Sequence, residues 1–112
     1  MLTLHLGSPV YQAETVRKNT ANLRKVFKHV APLSVFIPLY GSQWCLAVAS
    51  DTIDPRATTV ETIAQRMLER GLSDLRFYYP AMHVALFTLP KFVQELVAQG
   101  GGTGRIAHLR AA

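Results

Sequence analysis

Aromatic and titratable side chains in three stretches of this 112-residue chain have types and spacing that could carry chemistry. In Pro38-Leu39-Tyr40-Gly41-Ser42-Gln43-Trp44 a tyrosine and the sole tryptophan flank a tight turn. Such a pair can hold an alkyl chain against its ring faces and a polar end at the hydroxyl. Arg76-Phe77-Tyr78-Tyr79-Pro80-Ala81-Met82-His83 holds more aromatics than a loop needs. Asp51 and Asp54, the one close pair of acids, follow an apolar run where α/β proteins place functional groups, yet beside Pro55 they also read as turn formers. His5, His29, His83 and His108 show no metal-ligand spacing. Cys45 lies within an apolar run and reads as an inert buried thiol. Gly100-Gly101-Gly102-Thr103-Gly104 lacks the Gly-Lys-Ser/Thr ending of a phosphate loop and follows a helix, so a flexible tail over 100–112 is expected.

The elements that must position these groups follow from periodicity. Leu2–Leu6 reads as a buried strand, stopped by Gly7-Ser8-Pro9. A helix is expected from about Ala13 to His29, with Val16, Thr20, Leu23 and Phe27 on its buried stripe and Arg17, Arg24 and Lys28 on another. Pro32 interrupts, and Leu33–Ile37 and Trp44–Ala49 read as an antiparallel hairpin limited by Pro38. Thr58 and Glu61 have capping-box spacing before Val60, Ile63, Ala64, Met67 and Leu68, and Gly71 suits a helix C-terminus. Leu75–Tyr79 reads as a short extended piece ending at Pro80. A last helix opens near Pro90 and buries Leu89, Phe92, Val93, Leu96 and Val97.

Composition sets the frame. One domain fits the length. Hydrophobic residues make up 49% and charged residues 17%, against a usual charged share of about 25%, which excludes a disordered chain. The mean hydropathy of +0.15 is high for so small a chain. No apolar run approaches the ~20 residues of a membrane span, and the N-terminus does not resemble a secretory signal. A single cysteine fits the cytoplasm. The first strand is apolar on both faces and no crossover precedes it, so the chain is expected to be the C-terminal part of something larger. The net charge of +5 is concentrated early: residues 1–50 hold five Lys/Arg and one acid, Glu14. No aromatics interleave with those cations, so a nucleic-acid platform is not indicated.

Two segments together resemble a known family. Leu75-Arg76-Phe77-Tyr78-Tyr79-Pro80-Ala81-Met82-His83-Val84-Ala85-Leu86-Phe87-Thr88-Leu89-Pro90 is similar to the C-terminal motif of the spermidine synthases, and Ile37–Trp44 to their hairpin. The resemblance to these polyamine aminopropyltransferases runs from about Leu2 to Gln99. It implies an α/β fold: the C-terminal part of a methyltransferase-like Rossmann domain over 1–99, with a late antiparallel hairpin and flanking helices. The implied activity is aminopropyl transfer from decarboxylated S-adenosylmethionine, a co-substrate, to putrescine or a similar diamine, with no other cofactor and with homo-oligomers. The resemblance makes Tyr40 the residue that hydrogen-bonds the attacking amine and Trp44 a lining of the diamine channel. His5 stands where many members carry a substrate-holding Gln. His83 is expected to organise the C-terminal loop. The family's nucleotide loop and catalytic Asp have no counterpart here, so the chain alone is expected to be inactive. The alternatives are a non-catalytic module using the basic 17–28 face, and a self-associating domain.

Overall fold

The computed structural model describes residues 1–98. The expected tail over 100–112, the end of the segment at Gln99, and His108 lie outside the described residues. Three strands, β1 (Leu2–Gly7), β2 (His29–Ile37) and β3 (Ser42–Ser50), form one antiparallel-paired sheet in the order β1-β3-β2. Since β3 opposes both neighbours, β1 and β2 run parallel to each other with β3 between them, joined by helix α1 (Ala13–Val26). Helices α2 (Val60–Glu69), α3 (Pro80–Phe87) and α4 (Lys91–Ala98) follow.

Alternation along β3 sorts the two faces. Cys45, Ala47 and Ala49 are fully buried, and with Leu6, Val16, Leu23, Val30, Val93 and Val97 they make the core under α1 and α4. The intervening Trp44, Leu46 and Val48 are half-buried on the other face, which they share with their cross-strand partners Thr3, His5, Leu33 and Val35. A bulge between His5 and Gly7 leaves Leu6 as the extra residue, and its side chain still reaches the core.

Several expectations are corrected. Helix α1 stops at Val26, not His29, and β2 already begins at His29. Pro32 lies inside β2, opposite Ala47. β2 is an edge of the three-stranded sheet, and an edge strand tolerates a proline whose missing N–H faces outward. The cap of α2 is Thr59, whose Oγ1 accepts from the Thr62 backbone N–H at 3.2 Å, one residue beyond the expected Thr58. Gly71 does take the left-handed conformation, at φ 66°. Leu75–Tyr79 is not a strand, and an unexpected helix, α3, opens at Pro80. Phe92 is exposed, whereas Val93 and Val97 are buried as expected.

Cys45 has no exposed surface, and burial pushes its thiol from an ordinary 9.0 up to about 11. Native chain at pH 8 is expected to resist iodoacetamide and to react once unfolded in urea, as read by mass spectrometry. The native thiol keeps its proton between pH 9 and 11, where the unfolded one loses it. The contribution is therefore complete below pH 9 and is lost as pH rises towards 11, by up to about 1.4 kcal/mol per pH unit. Rapid labelling of the native chain at pH 8 would contradict the burial.

Candidate functional site

The aromatic cluster is built where β2 turns back into β3. Pro38 fixes the first residue of a 3-10 turn, Pro38–Tyr40, that ends on Gly41 at φ 62°. The Gly41 N–H donates to the carbonyls of Ile37 and Pro38, both at 3.1 Å, a left-handed closure that suits glycine. The reversal brings the Tyr40 and Trp44 rings to 4.4 Å between centroids, tilted by 38°. His5, paired with Leu46 in the ladder, is the diagonal neighbour of Trp44 on the same face. The Trp44 Nε1–H donates to His5 Nδ1 at 2.8 Å, with the rings edge-on at 6.1 Å. An indole N–H is only a donor, so His5 is neutral and carries its proton on Nε2.

Tyr40, Trp44 and His5 therefore form one continuous strip, drawn from a turn and two strands. Tyr40 is half exposed, so the strip has the apolar faces and polar edges of a wall for an aliphatic ligand with a hydrogen-bonding end. Behind it, the buried hydroxyls of Ser8 and Ser42 share a hydrogen bond of 3.3 Å that ties the end of β1 to the start of β3. Ser8 Oγ also accepts from the Val10 and Tyr11 backbone N–H groups, which shapes the entry to α1. Sequence reading passed over Ser8 and Ser42. Serines flanking Pro9 and Gly41 read as ordinary turn residues, and only the fold brings them together.

The other candidates have structural roles. Asp51 Oδ1 accepts the Lys28 backbone N–H at 3.1 Å. Asp54 caps a 3-10 turn, Pro55–Ala57, by accepting the Arg56 N–H at 3.0 Å, and pairs with the Arg56 guanidinium at 2.8 Å. That guanidinium holds the Asp54 carboxyl below its ordinary range. Both acids follow the far end of β3, about 20 Å along the strand from Trp44. His83 Nε2 donates to the Pro55 carbonyl at 2.7 Å, while its Nδ1 lies 2.9 Å from the Tyr78 hydroxyl. Because Pro55 offers only an acceptor there, His83 fastens α3 to the loop after β3. Burial raises the Tyr78 phenol above its ordinary value.

The basic stripe is partly consumed by the fold. Arg17 pairs with Glu14. Arg24 donates to the Val97 carbonyl near the C-terminus of α4, and partial burial and the neighbouring Arg56 charge lower its proton affinity. No described helix is long and apolar enough to cross a membrane, and no described group of His, Cys, Asp or Glu could hold a metal ion.

No family model matches the sequence. Solved structures show what class of fold this is. The spermidine synthase of Thermotoga maritima superposes with a TM-score of 0.71 at 24% identity, covering 86% of this chain and 33% of that one. A spermidine synthase in complex with the transition-state analogue AdoDATO gives the same score and identity, covering 86% and 32%. The fold is thus that of part of the Rossmann-like spermidine synthases, including the antiparallel hairpin. Sequence comparison makes the relationship specific. The polyamine aminopropyltransferase of Nitrosomonas europaea is 40% identical over 99 residues, which are 88% of this chain and 30% of that protein. That of Sulfurisphaera tokodaii is 31% identical over 90 residues, 80% and 30% respectively. The chain is homologous to a portion of the polyamine aminopropyltransferases and spans about 30% of the length of these curated relatives.

Proposed function

We propose that the chain is the C-terminal portion of an aminopropyltransferase of the spermidine synthase type, supplying one wall of its amine pocket. The observation that carries this reading is the continuous strip of His5, Trp44 and Tyr40 in a chain homologous to those enzymes.

The reaction is a displacement at the carbon next to the sulfonium of decarboxylated S-adenosylmethionine. The nitrogen of putrescine or a similar diamine forms a bond to that carbon as the carbon–sulfur bond breaks. The attacking amine must therefore be neutral and held in line. In this reading the Tyr40 hydroxyl oxygen accepts an N–H of that amine and turns its lone pair towards the carbon. The Trp44 face lines the methylene chain, and His5 closes the edge. Both substrates are cationic and need carboxylates around them. Asp51 and Asp54 are engaged at the other end of β3, so the acids of the pocket belong to other parts of the enzyme. The isolated 112-residue chain is accordingly inactive.

Grafting provides the test. The chain replaces the corresponding segment of the Nitrosomonas europaea relative, and spermidine formation from decarboxylated S-adenosylmethionine and putrescine is followed by chromatography. The chimera is expected to form product and the isolated chain none. A folded chimera without activity, or turnover by the isolated chain, would overturn the reading.

A further inference from the structure

We propose that His5 is the positioning residue of the aromatic wall, holding Trp44 against Tyr40 only while its imidazole is neutral. The use of this latch in an amine pocket rests on the function proposed above. The latch itself rests on geometry alone.

The 2.8 Å bond runs from an indole N–H, which can only donate, to His5 Nδ1, which must then be the bare nitrogen. Protonation would place N–H groups on both ring nitrogens, and two donors would face each other across the same gap. The contact must open. Histidine is the side chain whose ordinary charge change falls between about pH 5 and 8, which sets the range to examine. Among the described residues His5 forms no ion pair. On the His5 face β3 brings Trp44 and Leu46, and the 3-10 turn brings the Tyr40 phenol. On β3 Cys45 faces the opposite side, as does α1 with Glu14, Arg17 and Lys18. Trp44 touches His5 at one edge and Tyr40 across its face, so losing the first contact frees the ring that sets the second. A charged His5 would also place a cation beside a pocket proposed for an amine. Release of the wall and repulsion of the ligand therefore act in the same direction as pH falls.

Trp44 is the only tryptophan, so its signals report this site alone. Its emission and its indole N–H resonance are to be followed from pH 5 to 8 in the full 112-residue chain, with circular dichroism as a check of folding. The expected result is one titration, with loss of the hydrogen-bonded indole shift at the acid end. His5→Gln keeps an acceptor, the side-chain carbonyl, but cannot ionise. It is expected to retain the bonded shift and to abolish the titration. If that variant does not fold, His29→Gln, His83→Gln and His108→Gln made singly are each expected to leave the titration in place. A pH-independent indole resonance in the parent chain overturns the proposal, as does a titration that survives His5→Gln or vanishes in any of the other three. None of these readings requires turnover, so an inactive chimera would count against the function and not against the latch. In an active chimera, His5→Gln is expected to remove one ionisation from the acid limb of kcat/KM.

Discussion

Tyr40→Phe in the chimeric enzyme is expected to lower kcat for aminopropyl transfer by about 10- to 100-fold, with a smaller change in the KM for the diamine. The variant keeps the ring that packs on Trp44 and removes only the hydroxyl. A hydrogen bond to a group gaining charge is worth roughly 1.5–3 kcal/mol, and each 1.4 kcal/mol is about tenfold in rate. The bond matters most as the amine acquires positive charge at the transition state, so the loss falls on kcat and not on binding. Tyr78→Phe is the matched control. Its hydroxyl faces His83, away from the strip, and its removal is expected to leave kcat within a few-fold. Steady-state kinetics on both variants checks the pair. Equal losses would show that the tyrosines act through folding and not through the amine.

The second large effect concerns stability. Leu6→Ala is expected to cost about 2–5 kcal/mol, the range for emptying a packed leucine site. Leu6 is 1% exposed and lies in the core with Val16, Cys45 and Val93. It is also the extra residue of the bulge, so the gap would open beside the strand that carries His5. Domains of this size hold only about 5–15 kcal/mol in total, so the variant should approach unfolding at ambient temperature. Urea denaturation followed by circular dichroism gives the difference. A shift below about 1 kcal/mol would mean that the core around Leu6 collapses to fill the space.

What could be read from the residues alone was what local rules encode. Val16, Thr20 and Leu23 announced the buried face of α1, and the continuous apolar run Trp44–Ala49 announced β3, though not which of its residues face the core. A turn here was legible from Pro38 and Gly41, but it lies over 38–41 with Tyr40 inside it, and β3 already begins at Ser42, before Trp44. Helix α3 was missed because Pro80–Phe87 is apolar on every side apart from His83 and offers no amphipathic period. Its one usable signal was Pro80 at a first helical position, the same cue that marked the helix after Pro90. The early start of β2 was missed because Pro32 looks like a breaker until its strand is known to lie at an edge. For the strip, Tyr40, Trp44 and His5 could each be proposed from the resemblance. Their junction could not. The hydrogen bond from Trp44 to His5 joins residues 39 apart and depends on β1 lying beside β3, a pairing that no local pattern specifies.

That pairing also orders events in time. The β2–β3 hairpin closes across a loop of a few residues, a step of microseconds. β1 has no ladder partner until β3 exists, and its closure spans about 40 residues and must wait for a formed edge. Tyr40 and Trp44 are therefore expected to meet early in folding, whereas His5 is expected to arrive when β1 docks on β3. The strip is completed at the moment the sheet is.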